Sequence, residues 1–233
     1  MKNSQLNKSR FIVVIPLLII VFVIPFLPLL ISRRWDWWEA WAYAIVYILG
    51  FVLSRMLAAQ RHPDLLAERA GSLGHENVKT WDKWLSPLVG IGSGSIPLVA
   101  GLDVFFGWSP TFSSPVKILA LAIILSGYIL GSYALIENRF FSGVVRIQTE
   151  RGHYVVSSGP YRWLRHPGYA GAVLAYLATP FFLDSWWAFL PAVLLTILLV
   201  IRTALEDRTL QDELTGYYDY ARRVRFRLLP GVW

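Results

Sequence analysis

The chain has 233 residues, of which 55% are hydrophobic and only 16% are charged. Ordinary soluble domains carry about 25% charged residues, so this composition argues against a soluble globular protein and predicts an integral membrane protein. The net charge of +7 fits either a basic nucleic-acid-binding face or basic cytoplasmic loops, and the distribution of the charges favours the loops.

The predicted elements are all α-helices that form a polytopic transmembrane bundle of about six segments. In chain order they are residues 11–31, 38–59, 85–106, 116–136, 169–183 and 186–201. The first run follows Lys2, Lys8 and Arg10, as a signal peptide would, but it is too long for one and lacks a cleavage site, so we expect a retained span. The last two segments are short and are separated by Asp184-Ser185, which predicts a helical hairpin that either crosses the membrane or re-enters it.

The basic residues predict the orientation of this bundle. With the N-terminus placed in the cytoplasm, 19 of the 22 lysines and arginines fall on the cytoplasmic side. Only Arg33, Arg34 and Lys117 fall on the other side. The positive-inside rule therefore predicts that both termini are cytoplasmic. We expect one integral membrane domain over residues 1–233, with N-terminal spans in 1–136 and a catalytic region in 137–233.

Residues 159–169 (Gly-Pro-Tyr-Arg-Trp-Leu-Arg-His-Pro-Gly-Tyr) stand out because they place polar and charged side chains between apolar runs. Irregular polar backbone at such a depth is tolerated only where it is buried in protein or lines a cavity, so the stretch predicts a functional site. The chain has no cysteine, which excludes thiolate catalysis and cysteine-ligated metals. Its four histidines form no close pair, so no metal site is predicted.

A second group of polar residues follows the last apolar segment. Arg202 and Glu206 are four residues apart and would share one face of a helix. Taken alone, this pair is explained equally well by an ordinary ion pair at the end of a span and by a functional role. For His166, a hydrogen-bonded interfacial histidine is the simpler interpretation, and Tyr161 and Tyr169 alone would be interface anchors.

In combination, these residues resemble the isoprenylcysteine carboxyl methyltransferase family and its relatives among membrane phospholipid N-methyltransferases. The resemblance covers about the last third of the chain. Its first motif is His153-x-Val155-Val156-x-Ser158-Gly159-x-Tyr161, followed by Arg165-His166-Pro167-x-Tyr169-x-Gly171. Its second motif is Arg202-x3-Glu206-Asp207-x2-Leu210, followed by Gly216-x-Tyr218-x-Tyr220-x3-Val224 and Pro230.

The resemblance implies an S-adenosylmethionine-dependent methyltransferase whose cofactor pocket lies at the cytoplasmic end of the bundle. It implies cofactor binding by a set of motif residues, namely His153, Gly159, Tyr161, His166, Pro167, Tyr169 and Glu206. It also implies that Arg202 faces the methyl acceptor and that Glu206 lies near the reacting centre, with Asp207 as the other candidate for the acidic role. The implied partners are the lipid bilayer and an amphiphilic acceptor, by family default the carboxylate of a prenylated cysteine. No nucleic acid is expected.

Three alternatives remain open at this point. The acceptor could be a phospholipid amine or a small thiol. An NADPH-dependent sterol-type membrane reductase shares the Arg-His-Pro-x-Tyr signature, although the motif around Glu206 argues against it. A non-enzymatic assembly factor or transporter subunit is the third, and the chain lacks the paired repeats typical of transporters.

Overall fold

The computed structural model describes residues 21–71, 74–75 and 77–233, and all regular structure in these ranges is helical. The predicted all-α class is therefore confirmed for them. The basic N-terminal residues and the first half of the predicted span 11–31 lie outside the described residues. The remainder of that span contains a 3-10 turn at Ile24–Phe26 and a short helix, α1, at Leu27–Ser32.

Four helical stretches are long and apolar enough to cross a membrane: Trp38–Arg61, Asp82–Phe106, Ser114–Glu137 and Phe189–Glu213. The helix at the predicted fifth segment has only 16 residues. The described part of the chain thus has four candidate spans, and the expected number of about six is not confirmed.

The helices after α1 follow one another with short connections. In chain order they are α2 (Trp38–Arg61), α3 (Leu65–Gly71), α4 (Asp82–Gly92), α5 (Ser95–Phe106), α6 (Ser114–Glu137), α7 (Pro167–Phe182), α8 (Phe189–Glu213) and α9 (Tyr217–Arg223). Helix α2 ends directly before His62-Pro63, because the residue before a proline is disfavoured in the α conformation. The span formed by α4 and α5 is broken at Ser93-Gly94.

Helices α6 and α7 make the most extensive helix–helix contact in the described structure. A Cβ atom added to Gly171 would lie 2.3 Å from the carbonyl oxygen of Gly127, and one added to Gly127 would lie 2.4 Å from that of Gly171. Only glycine at both positions allows the two backbones to approach this closely. This contact fixes the start of α7 against α6. It thereby positions Arg165-His166-Pro167, which we call the Arg-His-Pro stretch.

Helices α7 and α8 form the predicted hairpin around Asp184-Ser185, and they contact each other. Helix α8 runs well beyond the apolar segment that ends at Ile201, so Arg202, Glu206 and Asp207 all lie on it. Their helical placement agrees with the expectation that Arg202 and Glu206 are one turn apart.

The two ends of the bundle differ in charge. One end carries the ends of α2 and α6, the starts of α4 and α7, and helix α9. All but three of the lysines and arginines in the described ranges lie on the polypeptide at this end. At the other end, Lys117 forms ion pairs of 2.6 Å with Glu39 and 2.5 Å with Asp184. The basic end is also the end that holds the motif residues.

Candidate active site

An open pocket of about 790 Å³ lies at the basic end of the bundle, and part of this volume is open to solvent. The long segment between α6 and α7, the start of α7 and the last turns of α8 form its walls. Of the residues predicted for the site, five line it: His153, Tyr161, His166, Tyr169 and Glu206. The structure therefore brings together residues that are up to 53 positions apart in the chain.

Gly159 and Pro167 support the pocket wall and are not among its described lining residues. Gly159 has a φ of +55°, and a Cβ atom there would lie 2.9 Å from the side chain of Glu137. Glycine is required for this turn, which docks on the end of α6. Pro167 is the first residue of α7, where its fixed φ and missing N–H are favourable.

Glu206 faces the pocket from α8 and is half-buried. The hydroxyl of Tyr169 donates a 2.6 Å hydrogen bond to Glu206 Oε2. The ring of Tyr169 lies parallel to the ring of His166, with 5.9 Å between the ring centroids. These contacts orient one carboxylate and two rings along a single side of the pocket.

Asp207, the neighbour of Glu206, has no exposed side-chain surface and is surrounded by donors. Its Oδ2 accepts hydrogen bonds from Arg165 Nη2 at 3.0 Å and from Arg227 Nε at 2.9 Å. Its Oδ1 accepts one from the Tyr217 hydroxyl at 3.1 Å and lies 3.3 Å from His166 Nε2. These contacts use the hydrogen-bond acceptors of Asp207. Through them, Asp207 connects the Arg-His-Pro stretch to α8, α9 and the C-terminal tail.

The tail is also held through its backbone. The N–H groups of Arg165 and His166 donate to the carbonyl oxygens of Phe226 and Arg227, each at 3.0 Å. The Tyr220 hydroxyl donates to the carbonyl of Tyr161 at 2.7 Å. The C-terminal segment therefore holds in place residues that line the pocket.

His153 also lines the pocket. Its Nδ1 accepts a hydrogen bond from the Gln148 N–H at 3.2 Å, and its ring packs on Phe140 with 4.5 Å between centroids. Burial, and the nearby positive charges of Arg146 and Arg151, lower the pKa of His153 to about 4. The imidazole is therefore neutral at physiological pH.

Tyr161 lines the pocket as well, but it is buried. Its hydroxyl accepts a hydrogen bond from Asn138 Nδ2 at 3.2 Å, and burial raises its pKa well above the usual value. It is therefore a neutral hydrogen-bonding group and not a base at physiological pH.

Arg202 is buried behind Tyr169 and is not among the described lining residues. Its Nε and Nη2 donate to the two carboxylate oxygens of Asp82 at 2.7 and 2.9 Å, and Nη2 also donates to the carbonyl of Gly143 at 3.0 Å. The guanidinium carbon lies 5.3 Å from the centroid of the Tyr169 ring. The forked edge of Arg202 is thus occupied by protein, which leaves Nη1 for other contacts.

Sequence reasoning missed Asp82 and the tail contacts. Asp82 is a single acid at the start of α4, 120 residues before Arg202, and no local pattern marks it. It is fully buried and also accepts a 2.6 Å hydrogen bond from the Val145 N–H. The signal that could have revealed it is the cost of an unpaired acid at the start of an apolar run. On α9, Tyr217 lines the pocket, whereas Tyr218, which belongs to the second family motif, is exposed.

Comparison with known proteins gives the same family as the motifs. Residues 119–212 match the model of the isoprenylcysteine carboxyl methyltransferase (ICMT) family. This range contains every predicted site residue, but it ends before α9 and the tail.

Two curated relatives share parts of the sequence. An uncharacterised protein of Bacillus subtilis (strain 168), YpbQ, is 32% identical over 92 residues, which are 39% of this chain and 54% of that protein. A probable protein-S-isoprenylcysteine O-methyltransferase of Oryza sativa subsp. indica is 32% identical over 65 residues, 28% of this chain and 34% of that protein. The chain thus spans about half or less of the length of these relatives.

A solved structure of the eukaryotic intramembrane Ras methyltransferase ICMT has a similar fold. The TM-score is 0.50 at 19% sequence identity, and the match covers 94% of this chain and 86% of that chain. At this identity the likeness shows the fold alone. With the apolar helices, it supports an integral membrane protein. The predicted resemblance is confirmed, and residues 119–212 are the part of this membrane protein that matches the isoprenylcysteine carboxyl methyltransferase family.

Proposed function

We propose that the protein is an S-adenosylmethionine-dependent methyltransferase that acts on an amphiphilic acceptor, by family default the carboxylate of a prenylated cysteine. The observation that carries this proposal is the convergence of His153, Tyr161, His166, Tyr169 and Glu206 on one pocket at the end of a membrane bundle. All five lie in the segment that matches the methyltransferase family.

The pocket fits the chemistry of S-adenosylmethionine. The exposed ring of Tyr154 offers a face for a purine ring or for a positively charged sulfonium. Glu206 supplies a carboxylate that would favour the cationic groups of this cofactor.

S-adenosylmethionine would supply an electrophilic methyl group, and the protein's own contribution is to position the reactants. Well-oriented reactants can gain about 7–11 kcal/mol over free reactants in solution. Tyr169 holds Glu206 in one orientation, and His166 packs against the Tyr169 ring, so this side of the pocket is pre-organised. A carboxylate acceptor is already ionised at neutral pH and needs no general base.

A lipid amine or thiol acceptor would have to lose a proton. Glu206 is then the residue that we assign as the base, because it faces the pocket and Asp207 does not. In this scheme Asp207 has a structural role, because its hydrogen bonds hold together the segments that form the pocket wall.

Arg202 is assigned to the acceptor side. Asp82 fixes its guanidinium group and leaves Nη1 to contact an anion. We therefore expect Arg202→Ala to reduce acceptor turnover much more than cofactor affinity. Equal losses in the two quantities would contradict this assignment.

We further propose that the pocket opens to the cytoplasm, because the basic end of the bundle carries it and basic residues favour the cytoplasmic side. Both N- and C-termini would then be cytoplasmic. Labelling of a cysteine introduced at position 233 in intact and in permeabilised cells tests this orientation. Labelling in intact cells by an impermeant reagent would contradict it.

The test of the activity is binding of S-adenosylmethionine and S-adenosylhomocysteine to the purified protein in detergent, measured by calorimetry with NADPH in parallel. We expect micromolar binding of the two sulfur nucleotides and none of NADPH. Tyr161→Ala and His166→Ala should each weaken this binding at least tenfold, whereas the exposed control Tyr218→Ala should not. Binding of NADPH alone would favour the reductase and refute the proposal.

A further inference from the structure

Exposed arginines lie on α9, on the tail and in the turn before α7. They are Arg162, Arg222, Arg223 and Arg225. Among the residues that the structure describes, none of these four forms an ion pair. Residues 217–233 contain four arginines and a single acid, Asp219, so this part of the surface is strongly positive.

Hydrogen bonds place Arg162 beside the other three arginines. The carbonyl of Tyr161, the preceding residue, accepts a 2.7 Å hydrogen bond from the Tyr220 hydroxyl on α9. The N–H of Arg165 donates at 3.0 Å to the carbonyl of Phe226, the residue that follows Arg225. Arg162 therefore lies between two attachments to the segment that carries the other three. We call these four side chains the arginine surface.

The tail next to this surface packs against the side of the bundle. Leu228 is buried in one apolar cluster with Ala170, near the start of α7, and this cluster also contacts Leu130 on α6. Leu130 lies seven residues before α6 ends at Glu137, which is about 10 Å along the helix axis. Its neighbour Ile129 is 68% exposed, as expected for a side chain that contacts lipid. The tail therefore reaches the depth at which α6 is apolar.

Large apolar side chains near the arginine surface are exposed. They are Trp163, Phe226, Leu229 and Val232. Exposed apolar groups beside arginines are typical of a segment at a membrane interface, where the apolar groups insert below the headgroups and the cations contact phosphate. A soluble acidic partner would match the charge of this surface, but it would not account for apolar groups at this depth.

The same segment supports the candidate pocket. The His166 N–H donates to the carbonyl of Arg227 at 3.0 Å, and Arg227 Nε donates to Asp207 at 2.9 Å. The guanidinium carbon of Arg227 lies 4.8 Å from the ring centroid of Trp233. A ligand that fixes the tail therefore also restricts His166, which lines the pocket.

We propose that the arginine surface binds the headgroups of anionic phospholipids in the leaflet at the basic end of the bundle. Lipid phosphates accept charge-assisted hydrogen bonds from guanidinium groups. In this arrangement the bound lipid holds the tail against the Arg-His-Pro stretch, and the pocket binds its cofactor more tightly. The effect on cofactor affinity rests on the proposed function, whereas the lipid site itself does not.

The first measurement is the association of spin-labelled phosphatidylglycerol with the full-length protein in phosphatidylcholine vesicles, relative to that of spin-labelled phosphatidylcholine. The test variant is Arg222→Gln/Arg223→Gln/Arg225→Gln. The matched control is Arg222→Lys/Arg223→Lys/Arg225→Lys, which keeps the charge. Arg208→Gln is a second control, because Arg208 lies at the same end of the bundle and its side chain is 84% exposed.

We expect the glutamine variant to lower the relative association of phosphatidylglycerol at least about fivefold, the effect of one arginine near an anionic lipid surface. The lysine variant and Arg208→Gln should stay within about twofold of the wild-type protein.

The second measurement compares nanodiscs of phosphatidylcholine alone with nanodiscs that also contain phosphatidylglycerol. In the anionic nanodiscs, the amides of Arg165 and His166 should exchange hydrogen more slowly. The affinity for S-adenosylhomocysteine should rise about fivefold, which is at the lower end of the usual range for coupled sites. The lysine variant should show both effects, and the glutamine variant should show neither.

Three results would overturn the inference. Equal relative association by the wild-type protein and the glutamine variant would mean that the arginines face water, where a soluble acidic partner is the remaining occupant. An equal loss in the lysine and glutamine variants would mean that the arginines act through packing. Lipid binding without any change in amide exchange or nucleotide affinity would refute the link to the pocket. Failure to bind S-adenosylhomocysteine in either lipid would refute the proposed function instead, and the spin-label measurement would still decide the lipid site.

Discussion

The Asp207→Asn substitution is the sharpest test of how the pocket is held together. Asp207 is fully buried and neutralises Arg165 and Arg227 at the same time. Asparagine has nearly the same shape, but it removes the negative charge and turns an NH₂ group toward at least one guanidinium. Removing one partner of a buried ion pair costs about 3–5 kcal/mol, because the remaining charge stays buried without compensation.

For a chain of this length, 1 kcal/mol corresponds to about 2–4 °C in the midpoint of unfolding. We therefore expect Asp207→Asn to lower the midpoint in detergent by about 10 °C. The amides of Arg165 and His166, which donate to the tail, should exchange hydrogen faster. S-adenosylhomocysteine should bind at least tenfold more weakly, since the pocket wall loses its attachment.

Asp212→Asn is the matched control. Asp212 lies on the same helix but is exposed, and its only ion pair in the described structure, with Arg208, is 3.8 Å long. Surface pairs of this kind contribute about 0–1 kcal/mol. If the two variants had the same stability, exchange rates and nucleotide affinity, the assignment of Asp207 as the centre of the wall would be wrong.

Three further predictions concern other parts of the molecule. The pKa of His153 is lowered from 6.5 to about 4, so the unfolded chain binds more protons between these pH values. Stability should fall as the pH drops through this window and stay constant above about pH 7, and His153→Gln should lose this slope in thermal denaturation across pH. Gly171→Ala should destabilise the bundle by about 3 kcal/mol in thermal denaturation, because the added Cβ atom would clash with the carbonyl oxygen of Gly127. Gly131→Ala should be tolerated in the same assay, because the nearest atom to a Cβ atom there would be 3.9 Å away. Lys117→Met leaves the two buried carboxylates of Glu39 and Asp184 facing each other and should cost about 3–5 kcal/mol in denaturation at neutral pH.

Hydropathy predicted most of the helix positions because the membrane requires long apolar segments. The segment predicted at residues 38–59 is the helix Trp38–Arg61, and the one at 116–136 is Ser114–Glu137. The end of α8 could not be predicted in this way. It continues from Ile201 to Glu213 through charged residues, and three of them have partners far away in the chain, namely Arg202, Asp207 and Glu213.

The site was predictable only in part. The motif identified five residues that the fold brings to one pocket, because their types and spacing are specific. The Asp82–Arg202 pair was not predictable, since neither residue carries a local sign of the other. The expectation that Arg202 faces the methyl acceptor did not include this competitor, which already occupies the forked edge of the guanidinium group.

Glu206 and Asp207 show why adjacent acids could not be assigned from the sequence. Successive residues on an α-helix point about 100° apart, so two neighbouring carboxylates meet different environments. On α8 this rotation aims Asp207 at Arg165 and the tail, and Glu206 at the pocket and Tyr169. A saturated, buried carboxylate keeps its charge and its position but has no free lone pair for a ligand, whereas a half-buried one with a single partner does. The environment of each side chain, more than its type, therefore separates the residue that builds the site from the one that we propose to act in it.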